Sequence, residues 1–531
     1  MKKLKTLFLL GSMILAFTGC KGLPENIDDE KNVDEVKTQA EETEEEEEIT
    51  ETFRPEIDSQ IEYLFDSCYE DGLYGNPYLN GWYDSFYLST ETKEKYPALA
   101  TVFEEKCQER DAKYDELHNQ FLEQSKSMRQ NGEDVIFSIK SDLCLRRSDE
   151  RVVSFVDQAT EYAGGAHGFT DYTSYNFDVQ NGKEIKLGDI VTDENAFRKE
   201  LAMNLTDQYG EESIGIVENT LTEMSLDEYQ WTFGPHGITF YFSNDIASYA
   251  AGVLTATLPY DYSFFTQEYA IRHNKGYISE LPIFISDTEH VDSILTADGI
   301  TFEPNYDSEG YEMGIIDSLT IRKDGQELNI PELYIFDADA YLMCTADDKE
   351  FLFLIVSGES DWHTSYIIAL DDGLKVVSQD YYSIGAAIDE EIGRDVVPSD
   401  PENIALSSHF DLLCTFGGTR SYSLGKDGKL RPLDDYFYAQ LSPELDLVSK
   451  VELTVPVVDD KGEETGEKAI LPEGTHYHLI RTNGQDVDCT VEDGKIIRFK
   501  LEKASDDGYV GDLEIDGVNA YDIFETLWYA G

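Results

Sequence analysis

Residues 162–182, YAGGAHGFTDYTSYNFDVQNG, decide how the first half of the chain is interpreted. The stretch begins with a glycine cluster around one histidine, made of Gly164, Gly165, His167 and Gly168. From Tyr175 to Val179, apolar and polar residues alternate, which predicts a strand with one apolar face. The Asn181-Gly182 pair that follows is a strong signal for a hairpin turn. The stretch therefore predicts a tight reversal, a half-buried strand and a second turn.

The residues on both sides of this stretch indicate a mixture of helices and strands. Upstream, Pro97 is typical of a helix start, and apolar residues recur at helical spacing until Asn131-Gly132. The pattern changes to period two over 134–163, which predicts two strands. Downstream, we expect a returning strand at 184–191 (EIKLGDIV), a helix at 194–209 (ENAFRKELAMNLTDQY) and further strands within 229–260. The predicted fold class of this part is α+β, with one long helix and an antiparallel sheet.

The second half of the chain has the pattern of an all-β protein. Short alternating strands are separated by Asp-Gly turns at 298–299, 324–325, 372–373 and 427–428. The last three turns recur at about fifty residues, which is compatible with propeller-like blades, and an irregular sandwich explains the pattern nearly as well. Short strands broken by glycine turns near the C-terminus suit a small SH3-like barrel. We therefore expect domains at 53–285, 286–449 and 450–531.

The first twenty residues predict the cellular location of the protein. Three lysines, Lys2, Lys3 and Lys5, precede an apolar segment at 7–17, which is too short to span a bilayer comfortably. The sequence Phe17-Thr18-Gly19-Cys20 is similar to a bacterial lipoprotein signal, in which lipid is attached to the cysteine. We expect residues 1–20 to form this signal and Cys20 to anchor the protein at the outer face of the cytoplasmic membrane. The alternative is an ordinary secretory signal with a chance cysteine.

Charge restricts the classes of partner. Residues 21–52 contain the run EETEEEEEITE and no aromatic residue, which predicts a disordered, self-repelling tether. The whole chain has 108 acidic and 41 basic residues, a formal net charge of −67. Such a charge repels nucleic acid and anionic lipid head groups, and attracts a basic protein. The alternative is that the acidity only maintains solubility.

The seven cysteines do not form a metal or redox motif. Apart from Cys20 they are widely spaced, without a CxxC pair, at Cys68, Cys107, Cys144, Cys344, Cys414 and Cys489. A Cys68–Cys107 or a Cys344–Cys414 disulfide is compatible with a location outside the cytoplasm. Buried free thiols are the equal alternative.

Several motifs in the first half occur in an order that resembles one family. They are the Gly-Gly-Ala-His-Gly loop, Asn176-Phe177-Asp178 with its Asn-Gly turn, Phe240-Tyr241-Phe242, and Tyr249-Ala250-Ala251-Gly252 before Leu258-Pro259-Tyr260. Together they resemble the extracytoplasmic domain shared by the anti-sigma factor RsiV and the peptidoglycan deacetylase PdaC. The resemblance covers roughly residues 55–285.

The resemblance implies an α+β domain at the cell envelope. In RsiV this domain binds lysozyme, and in PdaC it accompanies a separate catalytic domain. An anti-sigma factor would also need a cytoplasmic segment and a spanning helix, and the deacetylase a metal-binding domain with an HxxxH-type motif. The sequence shows neither pattern. We therefore expect a recognition module without either effector.

Two groups of residues are candidate binding sites. The first is the loop Gly164, Gly165, His167, Gly168, Asp171 and Tyr172, in which the glycines serve backbone geometry and His167 packs, contacts a partner or acts in catalysis. The second is an aromatic surface made of Tyr74, Tyr78, Trp82 and Tyr83, since tyrosine and tryptophan suit glycan or protein surfaces. The alternative for the second group is a coil packed on the long helix.

No catalytic, cofactor or metal motif is present in the sequence. We therefore expect a non-catalytic binding protein of the envelope that recognises a lysozyme-like protein or peptidoglycan, without a cofactor. One alternative is an enzyme-associated or solute-binding lipoprotein with its site in the β-rich half, near Asp361 and His363. Another is a structural wall spacer without a site.

Overall fold

A computed structural model of the chain describes residues 53–68, 77–133, 135–165, 168–210, 221–243, 253–271, 276–283, 285–286, 295–306, 315–358, 363–371, 373–385, 394–440, 446–503 and 513–529. These residues lie in one unit, 52–531. The predicted signal (1–20) and tether (21–52), with Cys20, lie outside the described residues. Of the helices that the structure describes, none is long and apolar enough to cross a membrane.

The helices begin and end where local signals place them. Their bounds are α1 Thr90–Lys95, α2 Pro97–Gln130, α3 Leu187–Ile190, α4 Glu194–Tyr209 and α5 Ala520–Ile523. The long helix α2 starts with Pro97 at its first position, where the missing N–H costs nothing. At the start of α4, the Asp193 side chain accepts a hydrogen bond from the Ala196 N–H. The predicted helices at 97–130 and 194–209 are confirmed.

The first half also contains strands β1 to β10. Their bounds are β1 Ile57–Ser67, β2 Pro77–Leu88, β3 Phe137–Ser148, β4 Val152–Tyr162, β5 Phe169–Asp178, β6 Gln230–Phe233, β7 Ile238–Phe242, β8 Leu254–Leu258, β9 Tyr277–Glu280 and β10 Ile285–Ser286. The predicted strand at 184–191 is wrong. Within this segment Glu184 bridges to Phe177 and Val191 bridges to Phe265. Between them the chain forms α3, because Leu187 and Ile190 lie one turn apart and are both buried.

Where the structure describes the second half, its regular elements are strands apart from α5. The first group is β11 Leu295–Ala297, β12 Ile300–Asn305, β13 Ser318–Lys323, β14 Gln326–Ile330, β15 Ile335–Cys344, β16 Glu350–Gly358, β17 His363–Ala369 and β18 Lys375–Asp380. The next is β19 Ser383–Ile384, β20 Asp395–Val396, β21 Ile404–Asp411, β22 Thr415–Leu424, β23 Leu430–Pro432, β24 Phe437–Gln440 and β25 Leu447–Val448. The last is β26 Leu453–Val458, β27 Glu464–Leu471, β28 His476–Thr482, β29 Val487–Thr490, β30 Ile496–Phe499, β31 Glu502–Lys503, β32 Leu513–Ile515 and β33 Val518–Asn519.

The long helix packs on one face of a sheet with the strand order β20-β1-β2-β3-β4-β5. Strands β2 and β3 run parallel, because α1 and α2 form the crossover between them, and the other neighbours are antiparallel. On α2 the buried side chains recur at helical spacing and face this sheet. The helix is tied to the sheet by Arg110, whose Nε lies 2.8 Å from Asp157 Oδ2 on β4. The predicted α+β class is confirmed.

Sheets of the second half lie in layers. The order β10-β15-β16-β17-β18 forms one sheet, with β9 also paired to β15, and β11-β12-β13-β14 forms another. One apolar cluster contains Phe302 and Ile321 of the second sheet with Leu342 and Leu354 of the first. The opposite face of the first sheet, with Phe353, packs on β21, β22 and β24. Facing sheets that share a core occur in sandwiches and also between neighbouring propeller blades, so both interpretations from the sequence stay predictions.

The strands of residues 450–531 continue an open sheet. Its order is β19-β21-β22-β24-β28-β29-β30-β26-β27, so β24 from before residue 450 pairs with β28 from after it. Among the described residues these strands do not close on themselves, and the predicted SH3-like barrel is therefore wrong in its closure. The all-β character of this half is confirmed.

Turns and cysteines match two of the predictions from sequence. At two Asp-Gly turns, 298–299 and 324–325, both residues have positive φ, as a tight hairpin requires. In the described part of the chain all six cysteines are free; five are buried and Cys68 is half-buried. The structure therefore has the buried thiols and neither of the two disulfides considered.

Candidate functional site

The glycine cluster of residues 164–168 is a backbone feature in its described part. Gly164 has φ +85° and Gly165 has φ +114°, conformations that side chains with a Cβ rarely adopt. Gly168 lies directly before β5, and His167 lies outside the described residues. The prediction that the glycines serve backbone geometry is confirmed for Gly164 and Gly165, and the role of His167 stays a prediction.

The two other residues of the predicted loop belong to strand β5. Asp171 is half-buried and opposite Ala159 of β4. Tyr172 is 5% exposed, and its ring stacks on the Tyr241 ring with centroids 5.1 Å apart. Burial raises the pKa of Tyr172 well above its ordinary value. Tyr172 is therefore a core residue rather than part of a binding loop.

The predicted aromatic surface is divided by the pleat of β2. Tyr83 is 7% exposed and stacks on Tyr114 of the long helix, with ring centroids 5.2 Å apart. Tyr78 is half-buried and has the Arg129 guanidinium 4.7 Å from its ring centroid. Trp82 is half-buried and lies on the sheet face that Tyr83 does not share. Tyr83 therefore belongs to the core, Tyr74 lies outside the described residues, and Trp82 remains as a surface residue.

Trp82 lies beside a row of apolar side chains on β1 that sequence reasoning missed. The row consists of Ile61, Tyr63 and Phe65, which are 47%, 78% and 61% exposed. Because strand side chains alternate, all three lie on one face. Tyr63 pairs with Trp82 and Ile61 pairs with Asp84 in the antiparallel register. The period-two spacing of the three residues was a signal in the sequence that could have revealed the strand.

A cavity of about 400 Å³ opens beside this row. Its walls come from β1, β2, β3 and β20 of one sheet and from β9 and β15 of another. Six carboxyl groups line it: Asp84, Asp142, Glu280, Asp337, Asp339 and Asp395. None of the described residues that line it is Lys, Arg or His. We name this space the acidic cleft.

Five of the six carboxyl groups of the acidic cleft have a raised pKa and so hold protons more tightly than ordinary carboxyl groups: Asp84, Asp142, Glu280, Asp339 and Asp395. Burial raises the pKa of Asp84 and of Asp395 to about 6, although a hydrogen bond from the Leu143 N–H opposes the shift at Asp84. Burial, with the neighbouring Asp337, raises the pKa of Asp339 to about 8. The pKa of Asp142 and that of Glu280 are also raised by burial and by the surrounding acids. As the pH rises and these carboxyl groups ionise, several negative charges therefore come to lie close together in the cleft.

This arrangement favours a cationic group. A positive charge among the carboxyl groups would relieve their repulsion and stabilise their ionised forms. Three basic side chains near the cleft have other partners: Arg110 pairs with Asp157, Arg146 with Asp298 and the Glu280 carbonyl oxygen, and Lys140 lies over the Trp82 ring. Among the described residues, no group of three or more His, Cys, Asp or Glu is arranged to hold a metal ion.

A second cavity, of about 510 Å³, lies between α2, β5 and β6. Its lining combines polar groups, aromatic rings and charges of both signs. Lys106 Nζ lies 2.8 Å from Glu109 Oε2, and the side chains of Asn176 and Gln230 hydrogen-bond to the neighbouring strands. Its polar groups are therefore largely satisfied within the protein, and its lining, unlike that of the acidic cleft, contains side chains of both charges.

The alternative site in the β-rich half is only partly described. Asp361 lies outside the described residues. His363 Nδ1 lies 2.9 Å from Ser357 Oγ, because the two residues are direct partners in the β16–β17 register. Neither His363 nor Ser357 lines the acidic cleft or the second cavity. The enzyme-associated alternative therefore stays a prediction.

Comparisons with known proteins give structural similarity only. No family model matches the chain, and no curated protein matches it. A DUF3298 family protein from Bacteroides fragilis NCTC 9343 is similar in structure, with 17% identity and a TM-score of 0.30, over 40% of this chain and 94% of that one. A DUF3298 family protein from Pseudomonas aeruginosa PAO1 is similar with 17% identity and a TM-score of 0.25, over 38% of this chain and 90% of that one.

Proposed function

We propose that this protein is a cell-envelope lipoprotein with an RsiV/PdaC-like domain and a non-catalytic binding role, and that it recognises a basic, lysozyme-like protein. The acidic cleft is the observation that carries the proposal. Six carboxyl groups converge there without a basic side chain among the described lining residues. A partner that supplies a lysine or arginine would complete the missing half of an ion-pair network.

The net charge of the chain supports the same class of partner. A formal charge of −67 accelerates the encounter with a basic protein and makes its rate depend on salt. A glycan can donate hydrogen bonds to the carboxyl groups but brings no positive charge to them, so peptidoglycan is the second candidate ligand. The lipid anchor at Cys20 would place the cleft outside the cytoplasmic membrane, where either ligand is found.

The test uses the full chain purified in detergent, with a basic lysozyme and purified peptidoglycan as separate ligands. We expect lysozyme to bind, with an affinity that falls as salt rises. The double variant Asp142→Asn/Asp339→Asn should bind at least about tenfold more weakly, since a lost buried charge pair costs about 2–5 kcal/mol. The matched control is Glu452→Gln/Glu473→Gln, which removes the same charge from two exposed positions.

The outcomes separate the candidate functions. Equal loss of affinity in the cleft variant and in the control would show that only net charge matters, and would contradict a site in the cleft. Binding of peptidoglycan alone would favour the second candidate. Binding of neither ligand would leave the enzyme-associated and wall-spacer alternatives.

A further inference from the structure

The apolar row on β1 is exposed although its strand is part of a well-packed sheet. On the opposite face of β1, Leu64 is 7% exposed and contributes to the core beneath α2. The row itself, Ile61, Tyr63 and Phe65, keeps between about half and four-fifths of its surface accessible. Neighbouring large apolar side chains in solvent are unusual on a monomer and mark an interaction surface.

The row is continuous with the acidic cleft. Ile61 and Tyr63 line the cleft, and their register partners on β2 are Asp84 and Trp82. Phe65 extends the row by one more pair, opposite Asn80. A partner that covers the row would therefore also contact the entrance of the cleft.

We infer that the apolar row and the acidic cleft form one docking surface for a basic protein, which covers the row with apolar atoms and inserts one lysine or arginine side chain into the cleft. This inference rests on the proposed function and names the surface that performs it. Charge complementarity selects the occupant, since the cleft offers carboxyl groups and no described cation in its lining.

Other occupants fit this surface less well. A second copy of the chain would bring the same carboxyl groups towards each other, and like charges in register repel. An anionic membrane would be repelled by the same groups. One face of the Trp82 ring already has Lys140 Nζ 4.9 Å from its centroid, so the incoming cation is assigned to the Tyr63 ring and the carboxyl groups.

Binding of a cation in the cleft is coupled to the release of protons from its carboxyl groups. An inserted positive charge favours the ionised form of each nearby carboxyl group. Because the free protein has raised pKa values, about 6 at Asp395 and about 8 at Asp339, docking releases protons. The affinity should therefore rise as the pH increases from about 5.5 to 8, and this rise should be smaller in Asp339→Asn.

The test compares two double variants of the full chain with a basic lysozyme as the probe. Tyr63→Ser/Phe65→Ser removes the outer part of the row. The matched control, Leu433→Ser/Trp528→Ser, removes two apolar side chains that are 55% and 64% exposed and lie outside the cleft lining. We expect the row variant to bind at least tenfold more weakly and the control to bind within twofold of the unchanged protein. Both should keep their melting temperatures, because the substituted side chains are exposed.

A second measurement keeps the test valid if the row variant is unstable. Hydrogen exchange of the unchanged protein should show slower exchange of amides in 59–67 when lysozyme is bound. Two results would overturn the docking surface and leave the proposed function intact. One is unchanged exchange of these amides when lysozyme is bound. The other is binding of the row variant within twofold of the unchanged protein while Asp142→Asn/Asp339→Asn binds more weakly. Absence of any binding to lysozyme would overturn both, as would capture of anionic vesicles in its place.

Discussion

Arg110 of the long helix and Asp157 of β4 form a buried ion pair, with Nε and Oδ2 2.8 Å apart and side chains that are 1% and 2% exposed. The Asp157 carboxylate also accepts hydrogen bonds from the Tyr114 hydroxyl at 2.9 Å and from the Ser141 hydroxyl at 2.7 Å. One carboxylate therefore connects α2, β3 and β4. The ion pair fixes the position of the helix on the sheet whose other face lines the acidic cleft.

Removal of one member of this pair should destabilise the protein. Asp157→Leu leaves the buried Arg110 guanidinium with the half-buried Asp111, 3.2 Å from Nη1, as its remaining carboxylate partner. The expected loss in free energy of unfolding is about 3–5 kcal/mol, measured by urea denaturation. The double variant Arg110→Met/Asp157→Leu should recover part of that loss, since the isolated charge is gone. A loss below about 1 kcal/mol in Asp157→Leu would contradict the role of the pair.

Two glycines with positive φ should differ in what a methyl group costs. At Gly165, φ is +114° and a Cβ would have no atom within 4 Å. At Gly182, φ is +68° and a Cβ would lie 2.2 Å from the Ala98 carbonyl oxygen at the start of α2. Gly165→Ala should therefore cost about 1–2 kcal/mol from backbone strain alone, and Gly182→Ala about 1–3 kcal/mol more from the collision. Equal melting temperatures of the two variants would contradict this difference.

The acidic cleft should make stability fall as the pH rises. For Asp84, Asp339 and Asp395, the pKa in the folded protein is above the ordinary value, so the folded state holds protons that the unfolded chain releases. Their contribution is fully present below about pH 4 and is lost as the pH increases through about 6 and then about 8. Asp339→Asn should reduce this loss and be more stable than the unchanged protein at pH 8. An equal pH dependence of unfolding in both proteins would argue against the shift at Asp339.

The predicted lipid anchor has a direct test in cells. Cys20→Ser removes the thiol that would receive the lipid, so the protein should be released into the medium or keep its signal. Fractionation and the mass of the N-terminal peptide distinguish these two states. A processed Cys20→Ser protein that stays in the membrane fraction would disprove the anchor.

Local patterns in the sequence predicted the local structure of the protein. Pro97 and the helical spacing after it define α2, and Asp193 caps α4, because these signals act within a few residues. The same holds for the Asp-Gly turns of 298–299 and 324–325. The prediction of a strand at 184–191 was wrong because Leu187 and Ile190, three residues apart and both buried, share one face of a helical turn but would lie on opposite faces of a strand.

The acidic cleft could not be predicted from the sequence. Its carboxyl groups come from strands between Asp84 and Asp395, and only the pairing of β1 with β20 and of β9 with β15 brings them together. Tyr83 and Trp82 are adjacent in sequence, yet Tyr83 lies in the core and Trp82 at the surface. The face that each residue occupies depends on the strand register, which composition does not determine.

The pairing of Asp58 with Val396 also orders events during synthesis of the chain. The first strand of the sheet gains its outer neighbour only after 338 further residues have been made, the difference between 396 and 58. At roughly 5–20 residues per second this takes about 17–70 s. During that interval the outer edge of β1 at Asp58 and Ser59 lacks the partner strand that it has in the folded protein, so this edge is completed only after most of the chain has been made.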